Sequence, residues 1–217
     1  SMISHVLKKA VEANIGEVIV AAEDQEIIDD VKKNGGQAVL TKREHKTGTD
    51  RIYEALKKFN DKDIDLVMNL QGDEPLMNIE DIRNLKNQMV KNKSKLGTLA
   101  SIITDQKMYE NKNIVKVITK NKLNNLNFSD AKNFMRKISK YSENIYHHLG
   151  IYCYEKNTLE NFVSLNQSSN ELKYKLEQLR ALDNNIKINV ALAVSSSIGV
   201  DTEEDFVAIK KIMEYKS

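Results

Sequence analysis

The chain has 217 residues, of which 41% are hydrophobic and 29% charged, which is the composition of an ordinary globular protein with a substantial core. Its 33 basic and 31 acidic residues give a net charge of +2, and the lysines are scattered, which argues against a nucleic-acid partner. The sequence contains no apolar run of about 18 residues, the length that would predict a membrane span. Its first residues lack a secretion-signal pattern. The single cysteine, Cys153, fits a reducing compartment, so we expect a cytoplasmic protein.

Alternating strand and helix patterns in the first half predict parallel βαβ units. Strands are predicted at residues 17–22, 37–40 and 64–69. Helical stripes are carried by Val6, Leu7, Ala10 and Val11, then by Ile27, Ile28 and Val31, and then by Ile52, Tyr53, Leu56 and Phe59. Thr49 or Asp50 is expected to cap the third of these helices.

The second half continues with less regular alternation, and the whole chain is expected to form one domain. A helical stripe is carried by Ile79, Ile82, Leu85 and Met89. Strand-like runs follow at residues 97–103, 114–118 and 123–128, and the polar segment 129–144 is predicted to be a mobile loop. The remaining predicted elements are a strand at 146–154, a long amphipathic helix at 168–182, a strand at 190–194, and a terminal helix carrying Phe206, Ile209 and Ile212.

Two aspartates follow buried strands and indicate a site. Asp73 lies in a glycine-containing turn directly after the strand that ends near Met68, and Asp201 follows the strand at 190–194. Open α/β sheets bind their ligands at the carboxyl ends of strands. Two carboxylates at that edge could hold a divalent cation against the phosphates of a nucleotide. Other interpretations are open, since Asp73 suits an ordinary turn and Asp201 suits a helix cap.

Five motifs follow one another along the sequence: Thr41, His45 and Thr47-Gly48-Thr49-Asp50-Arg51; Gln71-Gly72-Asp73-Glu74-Pro75; His148-Leu149-Gly150-Ile151-Tyr152; Leu176-Glu177-Gln178-Leu179-Arg180; and Gly199-Val200-Asp201-Thr202. They occur in the order found in the 3-deoxy-manno-octulosonate cytidylyltransferases, and the chain resembles that family over its whole length.

This resemblance implies a fold and a reaction. The implied fold is α/β, a nucleotide-diphospho-sugar-transferase-like (Rossmann-like) arrangement of three layers with a mostly parallel twisted sheet. The implied reaction transfers a cytidylyl group from CTP to the 2-hydroxyl of 3-deoxy-manno-octulosonate (Kdo), releasing pyrophosphate, for lipopolysaccharide biosynthesis. Mg²⁺ is the implied cofactor, with Asp73 and Asp201 as its ligands and catalytic residues. Residues 123–185 are implied to form the sugar-binding and dimerisation part of a homodimer.

The resemblance also assigns binding roles. The implied nucleotide-binding residues are Thr47, Gly48, Thr49, Arg51, Gln71 and Gly72. The implied sugar-binding residues are Gln71, His148, Tyr152, Glu177 and Gln178. Taken alone, the residues leave purely structural interpretations open: Arg51 suits a helix-surface charge, His148 a buried structural histidine, and Glu177 a solvated helix face.

The sequence departs from the family pattern at its beginning. Family members have a strand and a loop rich in arginine, glycine and lysine before the helix that starts here near Met2. That strand would lie between the strands at 17–22 and 64–69, so both are expected to expose an edge. Asp130 stands where the family usually has arginine and would repel phosphate. We therefore expect little transferase activity from this sequence alone.

Two alternatives belong to other functional classes. A catalytically silent family member would bind sugar or a partner protein without releasing pyrophosphate. A cytidylyltransferase for a related acidic sugar would prefer that sugar over Kdo in a competition assay.

Overall fold

A computed structural model describes residues 2–59, 63–138, 143–194 and 207. The helices are α1 (Met2–Ala13), α2 (Gln25–Lys33), α3 (Gly48–Phe59), α4 (Ile79–Asn92), α5 (Gln106–Glu110), α6 (Lys156–Ser164), α7 (Ser169–Tyr174) and α8 (Leu179–Asp183). The strands are β1 (Ile19–Ala22), β2 (Gln37–Leu40), β3 (Leu66–Asn69), β4 (Leu96–Ser101), β5 (Lys116–Thr119), β6 (Ser129–Met135), β7 (Ile145–Glu155) and β8 (Asn189–Leu192).

The strands form two separate sheets. β1 and β2 make a parallel pair, while six strands form a second sheet in the order β3-β7-β4-β8-β6-β5. β5 also pairs with β7, so part of the second sheet closes on itself like a barrel. The α/β class is confirmed, but the mostly parallel sheet is wrong, because β4–β8 is the one parallel pair among the described strands of this sheet. Apolar runs mark buried strands without revealing their direction.

β7 organises the larger sheet because it is long enough to serve several neighbours. Its carboxyl-terminal end pairs with β3, its amino-terminal end pairs with β5, and its other edge pairs with β4. Leu149, Ile151 and Cys153 face one core cluster together with side chains of α1 and α4. Tyr152 and Tyr154 belong to the opposite cluster, which contains side chains of α3 and α6. Helices therefore cover both faces of the sheet around β7.

Two segments differ from the sequence predictions. The run 123–128 is a loop and not a strand, since Asn124 Oδ1 accepts hydrogen bonds from the backbone N–H groups of Leu126 and Asn127, at 2.8 and 3.0 Å. Asparagine side chains commonly compete with strand pairing in this way. The mobile loop predicted at 129–144 is also wrong for its first part, which forms β6 and pairs with β5 and β8.

The long helix predicted at 168–182 is divided into α7 and α8. A capping box joins Ser168 and Glu171 at the start of α7, and Lys175 ends that helix in the left-handed conformation, with φ of 53°. The apolar spacing continues across the break, so periodicity alone could not locate it. The predicted terminal helix with Phe206, Ile209 and Ile212 lies outside the described residues.

Gly97 in β4 occupies a position where no larger residue fits. A Cβ atom there would lie 2.6 Å from both Met89 Sδ and Phe128 Cζ. We expect Gly97→Ala to lower the free energy of unfolding by about 1–3 kcal/mol, because overpacking forces neighbouring side chains to move. Urea unfolding measures the effect. Gly16→Ala is the matched control, since a Cβ atom at Gly16 would have no neighbour within 4 Å, and an equal loss in both variants would contradict the packing explanation.

Candidate active site

The site begins where β3 ends. Asn69, the last residue of β3, is paired with Tyr152 of β7. The chain then turns, with the N–H of Glu74 donating to Gln71 O at 3.3 Å. Asp73 lies in this turn and is exposed, as is Gly72. The sequence prediction that a carboxylate follows the carboxyl end of this strand is confirmed.

Gly150 allows this turn to pack closely on β7. A Cβ atom at Gly150 would lie 3.2 Å from Glu74 Oε1 and 3.4 Å from Gln71 Cγ. Gln71 and Glu74 therefore lie over the strand between His148 and Tyr152. This contact brings Gln71, predicted from the family to contact both substrates, next to two of the predicted sugar-binding positions.

The hydroxyl-rich loop forms the amino-terminal end of α3. Thr47 Oγ1 accepts a hydrogen bond from the N–H of Asp50 at 3.3 Å and donates to Asp50 Oδ2 at 3.0 Å. Thr47 is thus the residue that caps α3, and the prediction of Thr49 or Asp50 as the cap is wrong because both lie inside the first turn. A cap is defined by which side-chain oxygen accepts a hydrogen bond from the first turn, and the sequence pattern, which indicated Thr49 or Asp50, does not show this geometry.

Arg51 is held by other residues of the protein. Its Nη1 donates to Thr41 Oγ1 at 2.7 Å and its Nη2 forms an ion pair with Glu23. These bonds connect α3 to the carboxyl ends of β1 and β2. Arg51 therefore fixes the position of the Thr47–Thr49 loop, and its direct contact with a nucleotide stays a prediction.

Glu177 brings the predicted nucleotide loop and the predicted sugar residues together. Its Oε1 is buried and has no hydrogen-bond partner within the part of the chain that the structure describes. Burial raises the pKa of Glu177, and the neighbouring hydroxyl groups of Thr49 and Thr47 partly offset that effect. A buried carboxylate oxygen without a donor carries a substantial desolvation cost. This oxygen can accept a hydrogen bond from a hydroxyl group of a ligand.

Two tyrosines of β7 lie beside this carboxylate. Burial raises the pKa of Tyr152 well above its usual value, and the neighbouring Tyr154, Glu177 and Glu74 add to the effect. Burial and the charge of Glu177 likewise raise the pKa of Tyr154, and the neighbouring hydroxyl of Thr49 partly offsets this effect. Both phenols therefore stay protonated at neutral pH and can donate hydrogen bonds.

His148 is buried on the same face of β7. Its Nε2 lies 3.0 Å from Thr98 Oγ1, and its ring centroid lies 5.4 Å from that of Tyr152 and 5.0 Å from that of Phe134. Burial and the nearby His147 lower its pKa to about 3. His148 is therefore a neutral imidazole at neutral pH. Its placement beside Tyr152 agrees with the prediction of a shared face, while its contact with sugar stays a prediction.

Arg180 belongs to one of the five motifs, but the sequence pattern indicated no role for it. Its side chain is 2% exposed, and it donates two hydrogen bonds to Glu171, from Nε at 2.8 Å and from Nη2 at 2.6 Å. It also lies 4.7 Å from the centre of the Phe162 ring. This bidentate pair holds α7 against α8, and Gln178, which is buried, lies at the start of α8. Glu171 could have been found from the capping-box spacing Ser168-x-x-Glu171.

Of the two predicted metal ligands, one lies among the residues that the structure describes. Asp73 is an exposed carboxylate of the kind that binds Mg²⁺ together with water and phosphate oxygens. Asp201 lies outside the described residues. Among residues 2–59, 63–138 and 143–194, the structure contains no group of three or more His, Cys, Asp or Glu side chains arranged to hold a metal ion.

Asp130, expected to repel phosphate, has protein partners. Asn189 Nδ2 donates to Asp130 Oδ1 at 2.9 Å, and Lys187 Nζ lies 3.4 Å from Oδ2. The contacts place this carboxylate between β6 and β8. Its effect on phosphate binding stays a prediction.

Comparisons with known proteins agree with this geometry. The family model described as Cytidylyltransferase matches residues 1–188. The 3-deoxy-manno-octulosonate cytidylyltransferase of Thermodesulfovibrio yellowstonii is 40% identical over 98% of this chain and 88% of its own length. That of Bartonella tribocorum is 36% identical over 98% of this chain and 87% of its own length. The solved structure of a CMP:2-keto-3-deoxy-manno-octonic acid synthetase complexed with CTP has a TM-score of 0.88 and 31% identity, covering all of this chain and 88% of its own.

None of the described helices is both long enough and apolar enough to span a bilayer.

Proposed function

The chain belongs to the cytidylyltransferase family, within the group of 3-deoxy-manno-octulosonate cytidylyltransferases, and we propose that it transfers a cytidylyl group from CTP to Kdo with release of pyrophosphate. The observation that carries the proposal is the position of Glu177, which lies beside Thr47 and Thr49 and also beside Tyr152. Residues that the family resemblance assigns to the nucleotide and to the sugar thus form one cluster. The product would supply lipopolysaccharide biosynthesis.

The sugar half of the site is proposed to use Glu177, Gln178, Tyr152 and His148. The buried Oε1 of Glu177 would accept a hydrogen bond from a sugar hydroxyl, which removes the cost of its missing partner. The protonated phenol of Tyr152 would donate to an oxygen atom of the sugar. Thr98 Oγ1 donates to the backbone oxygen of Ile151, so the single N–H of the neutral His148 ring points from Nε2 to Thr98 Oγ1, and its Nδ1 would accept a hydrogen bond from a sugar hydroxyl. Gln71, packed over Gly150, would lie between the two substrates. Together these groups would orient the acceptor hydroxyl toward the α-phosphate.

The nucleotide half is proposed to use Thr47, Gly48, Thr49, Arg51 and Gly72. The exposed backbone at Gly48 and Gly72 permits close approach of a ligand. Asp73 and Asp201 are proposed to hold Mg²⁺, and the oxygen-ligand chemistry of Asp73 fits that ion. When bound, the ion would neutralise charge on the phosphates of CTP.

The direct test is pyrophosphate release from CTP, Kdo and Mg²⁺. Residues 1–217 are compared with a version that includes any sequence encoded upstream of Met2. Release by either version supports the proposal. Kdo binding by both without release would support the silent sugar-binding alternative, and preference for another acidic sugar in competition would support the third candidate. Failure of both versions to bind CTP or Kdo would contradict the proposed function.

We expect Asp73→Asn to reduce Mg²⁺-dependent CTP affinity by more than about 100-fold, because loss of a metal ligand exceeds the 10- to 100-fold effect typical of changes to groups that only orient the ligands. Isothermal titration calorimetry with CTP, with and without Mg²⁺, measures the effect. Asp29→Asn, an exposed carboxylate of α2, is the control and is expected to leave affinity unchanged. Unchanged Mg²⁺ dependence in Asp73→Asn would remove Asp73 from the metal site.

Further proposals follow from the resemblance. We propose a single cytidylyltransferase domain over residues 1–217, in which residues 123–185 carry the sugar-binding and dimerisation part. Light scattering of the purified protein tests the homodimer. A three-layer, nucleotide-diphospho-sugar-transferase-like arrangement and a cytoplasmic location are part of the same proposal, and fractionation of the source cells tests the location.

A further inference from the structure

The two proposed sugar-binding side chains of β7 are brought together by a bulge in that strand. Tyr152 is paired with Thr98 of β4, and His148 is paired with Ala100, so four steps along β7 face two steps along β4. In a regular strand four residues span about 13 Å and two residues span about 7 Å. The bulge therefore shortens the distance between His148 and Tyr152, whose ring centroids lie 5.4 Å apart.

The hydroxyl group of Thr98 lies at this bulge, and its residue is completely buried. Its Oγ1 lies 2.7 Å from Ile151 O, 3.2 Å from Leu149 O and 3.0 Å from His148 Nε2. Ile151 and Gly150 are the two residues of β7 that the described pairing with β4 leaves without a counterpart. Thr98 therefore supplies a donor to backbone oxygen atoms at the bulge and stabilises its shape.

The same hydroxyl group fixes the tautomer of His148. A threonine hydroxyl has one proton to donate, and a backbone carbonyl oxygen can only accept. The proton of Thr98 therefore goes to the bulge, and His148 Nε2 carries the ring proton and donates it to Thr98 Oγ1. The other tautomer would place three acceptors around a single proton and leave buried acceptors unsatisfied.

This tautomer decides which groups of a ligand the ring can bind. Burial lowers the pKa of His148 to about 3, so the ring is neutral and its Nδ1 presents a lone pair. A lone pair accepts a hydrogen bond from a hydroxyl group but repels a carboxylate, which has no proton to donate at neutral pH. Tyr152 has the opposite capacity, because its phenol stays protonated and can donate to a carboxylate oxygen.

We infer that Thr98 is a positioning residue for the acceptor sugar: it holds the bulge of β7 and fixes His148 as a hydrogen-bond acceptor, so that this position binds a hydroxyl group of the sugar and not its carboxylate. Thr98 acts through His148 and touches neither substrate. The sugar contact rests on the proposed function, whereas the tautomer of the ring can be measured without any substrate.

The first test measures the tautomer by ¹⁵N nuclear magnetic resonance of the histidine rings at neutral pH, with His148→Phe used to assign the signals. We expect the ring to be protonated at Nε2 in the wild type and in Thr98→Ser, because serine keeps the hydroxyl group. In Thr98→Val the Nδ1-protonated form is expected to appear. A wild-type ring protonated at Nδ1 would overturn the inference, as would an unchanged tautomer in Thr98→Val. The wild-type result decides alone if Thr98→Val does not fold.

The second test measures Kdo affinity by isothermal titration calorimetry. Thr98→Val is expected to weaken Kdo binding about tenfold and to leave CTP binding unchanged, while Thr98→Ser binds Kdo like the wild type. Thr119→Val is the matched control, since Thr119 is also a buried strand residue whose hydroxyl donates to a backbone oxygen. In a His148→Phe background, Thr98→Val should cause no further loss. An equal loss in both backgrounds would show a purely structural role and overturn the inference.

Kdo analogues that each lack one hydroxyl group identify the group that His148 binds. The difference in affinity between wild type and Thr98→Val is expected to vanish for one analogue and to persist for the others. A difference that persists for every analogue would show that the ring binds no hydroxyl group, and the inference would be wrong. If the wild type binds no Kdo, the proposed function fails, and the tautomer measurement still decides whether Thr98 fixes the ring.

Discussion

Replacing Arg180 by methionine is expected to lower the free energy of unfolding by about 3–5 kcal/mol at neutral pH, since it leaves the buried carboxylate of Glu171 without its partner. Arg180 and Glu171 have side-chain exposures of 2% and 4% and share two hydrogen bonds. Methionine preserves much of the apolar contact of the arginine stem. Urea unfolding followed by circular dichroism measures the change.

A double variant identifies the unpaired charge as the cause. Glu171→Gln combined with Arg180→Met removes both charges, and its loss is expected to be much smaller than that of Arg180→Met alone. Lys91→Met, an exposed change on α4, controls for substitution of a cation by methionine. An Arg180→Met variant that loses less than about 1 kcal/mol would show that the pair does not hold α7 against α8.

The Arg180 effect has a defined pH dependence. Burial is the largest influence on Glu171 and opposes ionisation, but hydrogen bonds from Arg180 and Gln167 outweigh it, so the pKa of Glu171 is lowered. A lowered folded-state pKa contributes stability that is present above the unfolded value, about 4.3, and is lost as pH falls through the folded value. The difference between wild type and Arg180→Met is therefore expected to be largest at neutral pH and to shrink in acid.

Replacing Glu177 by glutamine is expected to weaken Kdo binding by about 10- to 100-fold, because a hydrogen bond to a charged group contributes about 1.5–3 kcal/mol. The proposed sugar contact uses the buried Oε1, which has no partner within the described part of the protein. Isothermal titration calorimetry with Kdo measures the affinity. Glu160→Gln, an exposed position on α6, is the matched control and is expected to bind Kdo like the wild type.

The same substitution is expected to change stability in the opposite direction. Burial raises the pKa of Glu177, so the folded protein binds this proton more tightly than the unfolded chain does. Stability of the wild type therefore falls as pH rises from the unfolded pKa, about 4.3, through the raised folded value. Because glutamine does not titrate, the free energy of unfolding of Glu177→Gln relative to wild type should increase between pH 4 and pH 8. A Kdo affinity equal to wild type would remove Glu177 from the sugar site.

The sequence by itself determined the helices, strands and turns whose formation depends on residues close together in the chain. Apolar periodicity predicted α1 to α4 and the strands between them, because one buried face requires regular spacing. The turn after β3 followed from a glycine and an aspartate behind an apolar run, and it lies at the sheet edge as expected. Family resemblance supplied the site residues, and the structure brings Thr47, Thr49, Tyr152 and Glu177 together.

Tertiary structure decided what depends on distant partners. The antiparallel pairing of β7 with β3, β4 and β5 could not be predicted, since a strand buried on both faces has the same apolar pattern in either direction. The break between α7 and α8 depends on a left-handed residue, Lys175, and on the ion pair of Arg180 with Glu171. The raised pKa of Glu177 likewise arises from burial beside a loop far away in the chain. The spacing of apolar residues along a sequence shows which face of a helix or strand is buried. The residues that pack against that face are determined only when the chain folds.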